Sequence, residues 1–302
     1  MPLTAEQDIR AAIGEDLWTL LQQYDSPIFE AYRLTTHFSD YLERGSYKVK
    51  LSDGRVFKAR RFPKKEEAKN LSRLCPLLNK TCFPRVLVSY GKGVLIEWIE
   101  GRPLSSGECD IDIIGKAAVI QAELHHSEIS QNMYNPSYSQ AKFWRDLLDQ
   151  KIVNLVEKRQ ITESEGMRLS NIARLNPDLS VTIGLTHGDY CPENMILSTN
   201  FSLKIIDIET ISITALAHDL ARTTIRWPMK PEYRQAYLQS YGKFLSVDEF
   251  FRNFSFWIIL VLVESAIFFA QGRLPDVKKS VDKLREILEF SDEKDLLACY
   301  GY

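Results

Sequence analysis

Asp189, Asn194 and Asp207 lie in one stretch, Leu185 to Glu209, which reads LTHGDYCPENMILSTNFSLKIIDIE. A carboxylate can orient an alcohol and take its proton, and a carboxylate with an amide oxygen suits a hard cation such as Mg²⁺. Pro192 keeps the loop between Asp189 and Asn194 from being helical at its centre. Met195, Ile196 and Leu197 leave that loop as an apolar run. Thr199, Asn200 and Ser202 make a turn, and Lys204 to Ile208 form a second strand with Asp207 near its end. If the two strands pair as a hairpin, Asn194 and Asp207 come together at one end, and Asp189 is left to receive a proton. That layout suits phosphoryl transfer, in which a protein positions the nucleophile and neutralises charge through a metal.

The interval from Asp189 to Asn194 is that of the kinase catalytic loop His-Arg-Asp-x-x-x-x-Asn, with Gly188 in place of Arg. Ile206-Asp207-Ile208-Glu209 stands where kinases have Asp-Phe-Gly. With His187-Gly188-Asp189 and His218-Asp219-Leu220-Ala221, the chain resembles the aminoglycoside phosphotransferase and choline kinase family. The resemblance covers residues 40–270 and is most specific over 185–221. It implies an α+β, bilobal protein-kinase-like fold with a β-rich N-lobe and a mainly helical C-lobe. The expected division is an N-terminal helical extension (1–27), an N-lobe (28–100) and a C-lobe (101–302). The implied reaction is ATP- and Mg²⁺-dependent transfer of the γ-phosphoryl to a hydroxyl of an aminoglycoside-, amino-alcohol- or sugar-like small molecule. Asp189 is then the base, and Asn194 and Asp207 hold the metal. Glu209 serves as a further metal or substrate contact. A catalytically silent nucleotide-binding module acting through partners is the alternative, against which the presence of Asp189, Asn194 and Asp207 together argues.

Such a reaction needs a cation on a strand and backbone over the phosphates. Tyr47 to Leu51 alternates, Asp53-Gly54 is a hairpin turn, and Val56 to Phe62 follows. Lys58 and Arg60 are two apart, hence on one face. Lys58 is the preferred ligand of the α/β-phosphates and Arg60 its rival. Arg44-Gly45-Ser46 is the candidate phosphate-covering segment, with one glycine only. Lys64 to Leu78 reads as a helix with Glu67 heading a stripe of Leu71, Leu74 and Leu78. A partly buried glutamate there needs a cation, and Lys58 is the expected one. Val94 to Pro103 resembles the family's hinge, where backbone near Glu97 and Ile99 would bond the adenine edge. Residues 4–23 read as one amphipathic helix opened by a Thr4–Gln7 capping box.

Asp112 to Ile129, Gln140 to Arg159 and Glu163 to Arg174 read as helices. The long interval from His125 to His187, and the short one from Asp207 to Asp219, favour a small-molecule acceptor over a peptide. Asp219 is expected to cap a helix or bond the catalytic-loop backbone, and His125 to be structural. Phe254 to Ala270 looks like a membrane span but contains Glu264, and a buried core helix is the better reading. Aromatics in 231–271 are expected mainly in the core, with a cation–π pocket as the minor use.

The composition is that of a globular chain, 45% hydrophobic and 26% charged, with a net charge of −2. No pull toward nucleic acid or anionic membrane follows. Residues 1–100 carry 16 basic and 13 acidic groups and the remainder 22 and 27, which would fit phosphates on one side and a neutral or cationic acceptor on the other. The five cysteines form no CxxC pair, so a zinc site or disulfide framework is not expected. With no signal peptide visible, a cytoplasmic location is the default.

Overall fold

The computed structural model describes residues 2–34, 45–200, 202–227, 229–270, 274–290 and 293–300. In chain order, helices α1 (Glu6–Ile13) and α2 (Glu15–Leu21) precede strands β1 (Ile28–Arg33), β2 (Gly45–Leu51) and β3 (Val56–Arg61). Helix α3 (Lys65–Leu74) and strands β4 (Val86–Tyr90), β5 (Gly93–Glu97) and β6 (Gly101–Pro103) follow. Helices α4 (Ile111–His125), α5 (Ala141–Glu157) and α6 (Glu163–Ala173) lead to strands β7 (Ile183–Thr186), β8 (Met195–Ser198), β9 (Leu203–Ile205) and β10 (Ser212–Ala215). The remaining helices are α7 (Leu216–Arg226), α8 (Pro231–Tyr241), α9 (Asp248–Arg252), α10 (Phe254–Ala270), α11 (Leu274–Leu288) and α12 (Glu293–Cys299). The chain divides into two compact units: Met1–Pro103 with Met195–Glu209, and Leu104–Asn194 with Thr210–Tyr302.

The first unit is built on an antiparallel sheet in the order β1-β2-β3-β5-β4, which makes β3 its central strand. The alternation in β2 buries Tyr47, Val49 and Leu51, and Gly54 takes the left-handed turn position (φ 90°) between β2 and β3. The N-terminal stripe Ile9, Ile13, Leu17, Leu20 and Leu21 is buried in one core with Ala31, Val49, Leu51, Ala59 and Leu95 of the sheet. Residues 6–21 are therefore part of this unit's core.

They are also two helices where one was expected. Gly14 (φ 85°) breaks the run, and a Cβ there would lie 2.7 Å from Arg61 Nη1. The Thr4–Gln7 capping box does not form. Leu3 exchanges backbone hydrogen bonds with Ala31, which keeps the chain extended, and α1 starts at Glu6 behind an uncapped Ala5.

Met195–Glu209, expected with the C-terminal part, makes its contacts in the first unit. Strands β8 and β9 form the expected hairpin (Met195↔Ile205, Leu197↔Leu203), and β6 pairs with β8. The Ile205 N–H also donates to Cys82 O at 2.8 Å. The second strand stops at Ile205, short of Ile208, because Asp207 adopts φ 61°.

The second unit is mainly helical, with β7 and β10 as an antiparallel pair (Thr186↔Ser212). Residues 254–263 of α10 are all buried, among them Phe254, Phe256 and Trp257, so this run is a core helix packed by α5, α7 and α11. None of the described helices is long and apolar enough to cross a membrane.

If α2 belongs to the first unit's core, Leu20→Ala should cost about 3 kcal/mol, as a fully buried leucine does. Leu175→Ala, at a position 53% exposed, should cost no more than about 0.5 kcal/mol. Urea unfolding of both variants reads the difference, and equal costs would place α2 outside the core.

Candidate active site

The predicted residues fall into two groups, one in each unit. In the first unit, Lys58 stands on the central strand and its ammonium lies 2.8 Å from Asp207 Oδ1 and 2.7 Å from Glu209 Oε1. Arg60 shares the face, as its spacing predicts. Its Nε lies 3.9 Å from Glu209 Oε1, and Nη1 donates to Ser46 Oγ at 2.6 Å. Lys58 thus touches both acids closely, and Arg60 reaches one of them at long range.

Burial alone would lower the pKa of Lys58, but the two carboxylates outweigh it and hold the ammonium above its usual range. Burial also opposes ionisation of Asp207, yet Lys58 beside it holds its pKa well below the carboxylate range. Glu209 goes the other way. Its side chain is 5% exposed, and burial, with the charge of Asp207 added, pushes its pKa up against the pull of Lys58. Neither Glu209 oxygen has a well-aligned hydrogen bond, despite the near approach of Lys58.

Ser46 and Gly45 begin β2 as strand residues opposite Arg60 and Arg61, and Arg44 lies outside the described residues. Glu67 is half-buried in the first turn of α3 and is partnered. The Glu97 N–H is committed to Arg85 O at 2.9 Å. The Ile99 N–H and C=O make no backbone hydrogen bond among the described residues. Of these two positions, Ile99 is the one with neither backbone group bonded to backbone among the described residues.

In the second unit, β7 delivers the chain to His187, Gly188 and Asp189. Gly188 takes φ 80°, and a Cβ there would lie 2.8 Å from Thr210 O, so glycine is required. Asp219, on the first turn of α7, is 1% exposed and gathers the loop. Its Oδ1 accepts from Gly188 N at 2.8 Å. Its Oδ2 accepts from His187 N at 3.2 Å and Gln121 Nε2 at 3.0 Å, with His125 Nε2 also at 3.0 Å. Burial raises the pKa of Asp219, but His125 and the loop N–H groups outweigh it and keep the carboxylate ionised. His125 is itself buried, with Nδ1 2.7 Å from Tyr241 Oη, which is a structural position as expected.

Asp189 is 30% exposed on its side chain and is held from two sides. Asn194 Nδ2 donates to its backbone O at 2.8 Å and to Oδ2 at 3.0 Å. Arg226 Nε donates to Oδ1 at 2.9 Å. Pro192–Asn194 forms a single 3-10 turn, so the loop is locally helical there. Sequence reasoning did not find Arg226, nor Arg222, whose Nη1 donates to Gly188 O at 2.7 Å. The signal was their spacing of four from each other and from His218.

No cluster of three or more His, Cys, Asp or Glu side chains suited to a metal occurs among the described residues. Magnesium does not need one, since it is commonly held by one or two carboxylates, phosphate oxygens and water. Asp207 and Glu209, with two buried oxygens lacking aligned donors, fit that requirement. The amide donor of Asn194 is spent on Asp189, which leaves its oxygen as an acceptor.

Because Asp219 is ionised in the fold, its stabilisation is present above the unfolded carboxylate pKa of about 4 and is lost as pH falls below it. Asp219→Ala leaves buried donors unpaired and should cost about 3–5 kcal/mol in urea unfolding at neutral pH. The acid loss of stability should also flatten in Asp219→Asn. An unchanged pH slope in that variant would mean the carboxylate does not carry the loop.

A family model described as "Phosphotransferase enzyme family" matches residues 35–252. Among curated proteins no match is found. Solved structures share the fold at low identity. A GDP complex of a mutant aminoglycoside 2′-phosphotransferase IIIa has a TM-score of 0.66 at 18% identity, covering 98% of this chain and 100% of that one. The choline kinase LicA from Streptococcus pneumoniae has a TM-score of 0.64 at 17% identity, covering 93% and 99%. An ethanolamine kinase of Plasmodium vivax has a TM-score of 0.62 at 14% identity, covering 86% and 82%. The α+β architecture is thus the protein-kinase-like one of these structures, and the chain belongs to the phosphotransferase enzyme family.

Proposed function

We propose that the enzyme transfers the γ-phosphoryl of ATP to a hydroxyl of a small molecule, with magnesium. The observation that carries this is Lys58 bound between Asp207 and Glu209 on the central strand of the first unit. A lysine held charged beside two acids is ready to exchange one of them for phosphate oxygens when a nucleotide arrives. Similar structures solved as GDP complexes make GTP the second nucleotide to test.

In this reading Asp189 orients the acceptor hydroxyl and takes its proton. The hydroxyl oxygen then bonds to the γ-phosphorus, the bond from that phosphorus to the bridging β-phosphate oxygen breaks, and nucleoside diphosphate leaves. Asn194 and Arg226 hold the Asp189 carboxylate so that it is aimed before the acceptor binds. Lys58 binds the α/β-phosphates, with Arg60 behind it, and Gly45 and Ser46 lie at the start of the covering strand. Glu67 supports the cation face from α3. The backbone at Glu97 and Ile99 borders the base, chiefly through Ile99. Asp207, Glu209 and the Asn194 oxygen would hold the metal, which would supply positive charge against the phosphate oxygens. Five unpaired cysteines fit a reducing compartment such as the cytoplasm.

Nucleoside diphosphate release with Mg²⁺ and ATP or GTP tests this against a panel of hydroxylated acceptors. Asp189→Ala should lower acceptor-dependent kcat at least ~100-fold while nucleotide binding persists. Asp207→Ala should remove turnover and weaken Mg²⁺-dependent nucleotide binding, read by thermal shift. Lys58→Ala should raise the nucleotide KM by roughly ten-fold or more. Turnover retained in Asp189→Ala or in Asp207→Ala would refute that residue's role.

A further inference from the structure

Helix α7 carries His218, Arg222 and Arg226 at intervals of four, so the three basic side chains form one stripe. The stripe runs to the catalytic loop: Arg222 bonds the carbonyl of Gly188, and Arg226 bonds the carboxylate of Asp189. Both guanidinium groups are reachable, with the side chains 36% and 47% exposed. Each carries five N–H donors in a planar fork that matches a carboxylate or a phosphate.

The acids in direct contact with this stripe are Asp189 and Glu264. Glu264, on α10, is already shared by three partners. His218 Nε2 lies 2.9 Å from it, Arg222 Nη2 3.3 Å, and Lys151 Nζ, from α5, 3.4 Å. Trp144 packs on His218 and on Trp257, and both tryptophans are buried, so neither offers an open face to a quaternary ammonium. A cationic acceptor entering beside Asp189 would meet two arginines and a lysine, with no unshared acid to receive it.

We propose that the acceptor is a small hydroxylated anion, a carboxylate or a phosphate ester, whose charged group is bound by Arg226 and Arg222 while its hydroxyl meets Asp189. The proposal rests on Asp189 being the base of the transfer. Arg226 is within one hydrogen bond of that carboxylate, so a hydroxyl presented to Asp189 places atoms two or three bonds away in reach of the guanidinium. The anionic group replaces Asp189 as a partner of Arg226, which frees the base oxygen for the hydroxyl proton. The acceptor side is thus basic beside the reacting atoms, although residues 101–302 carry more acids than bases.

Four hydroxylated probes of matched size test it: glycerol 3-phosphate, glycerate, glycerol and choline. Binding to the nucleotide-loaded enzyme is measured by calorimetry. At least one of the two anions should bind ten-fold or more tighter than glycerol and choline, a margin of about one charge-assisted bond. Which anion binds better separates phosphate from carboxylate. Arg226→Gln and Arg222→Gln should each erase most of that margin, and Arg226→Lys should restore part of it, with nucleotide binding as the control for folding. Choline or glycerol binding as tightly as both anions, or an anion margin unchanged in Arg226→Gln, overturns the proposal. Asp207→Asn separates the two levels. Nucleotide consumption surviving in that variant overturns the phosphotransfer reading. Consumption lost there, without an anion margin in the wild type, overturns only the acceptor class.

Discussion

A carboxylate that is 1% exposed can stay ionised only if donors surround it, and Asp219 shows what this requirement imposes on a fold. Its four donors come from α4, through Gln121 and His125, and from the loop that follows β7, through the backbone of His187 and Gly188. A single buried charge therefore ties two helices and the loop before Asp189 together. The loop cannot relax without stranding the charge. His125 is committed in turn to Tyr241, so α8 joins the same network. Asp189 itself is 30% exposed, and the loop that presents it is anchored by a carboxylate that is 1% exposed.

The first unit applies the same rule to the opposite sign. Lys58 is 15% exposed and remains charged because Asp207 and Glu209 flank it. The two acids are not equivalent. Asp207, 38% exposed, keeps its charge because Lys58 outweighs the cost of its burial, whereas in Glu209, at 5%, burial prevails. Their pKa values move apart for that reason.

The legible part of the site was the part whose partners are close in sequence or fixed by a simple period. Asp189, Asn194 and Asp207 lie within one hairpin and the loop before it, and the two strands pair as expected. Lys58 and Arg60 shared a face because strands repeat every two residues. Asp219 bonded the loop backbone because it follows β10 directly into a helix. The basic stripe was not legible in the same way. Arg226 bonds Asp189 across 37 residues and Arg222 bonds Glu264 across 42, and no local pattern specifies such pairs. The helix break at Gly14 was missed because the apolar stripe continues unbroken through it. A helix-period pattern records which face is buried, and the backbone path between turns is set by what packs there.

Two left-handed backbone positions complete the geometry, Gly188 at φ 80° and Asp207 at φ 61°. They are not the same kind of feature. At Gly188 a side chain is excluded outright, because a Cβ would meet Thr210 O. At Asp207 a side chain is present, in a conformation that costs an ordinary L-residue roughly 1–2 kcal/mol and that Asp tolerates better than most. Continuing as a strand through Ile208 would remove that cost. It would also give Asp207 and Glu209 the strand's alternation, with the residue between them pointing to the opposite face. The chain instead leaves the ladder at Ile205, turns at Asp207, and runs into a short 3-10 segment from Ile208 to Thr210. In this path Asp207 and Glu209 both reach one ammonium, and Ile208 is buried. Because a strand would also set the two acids on one face, the left-handed turn at Asp207 marks where the chain leaves the ladder for the 3-10 segment, and the two acids still converge on Lys58 after it.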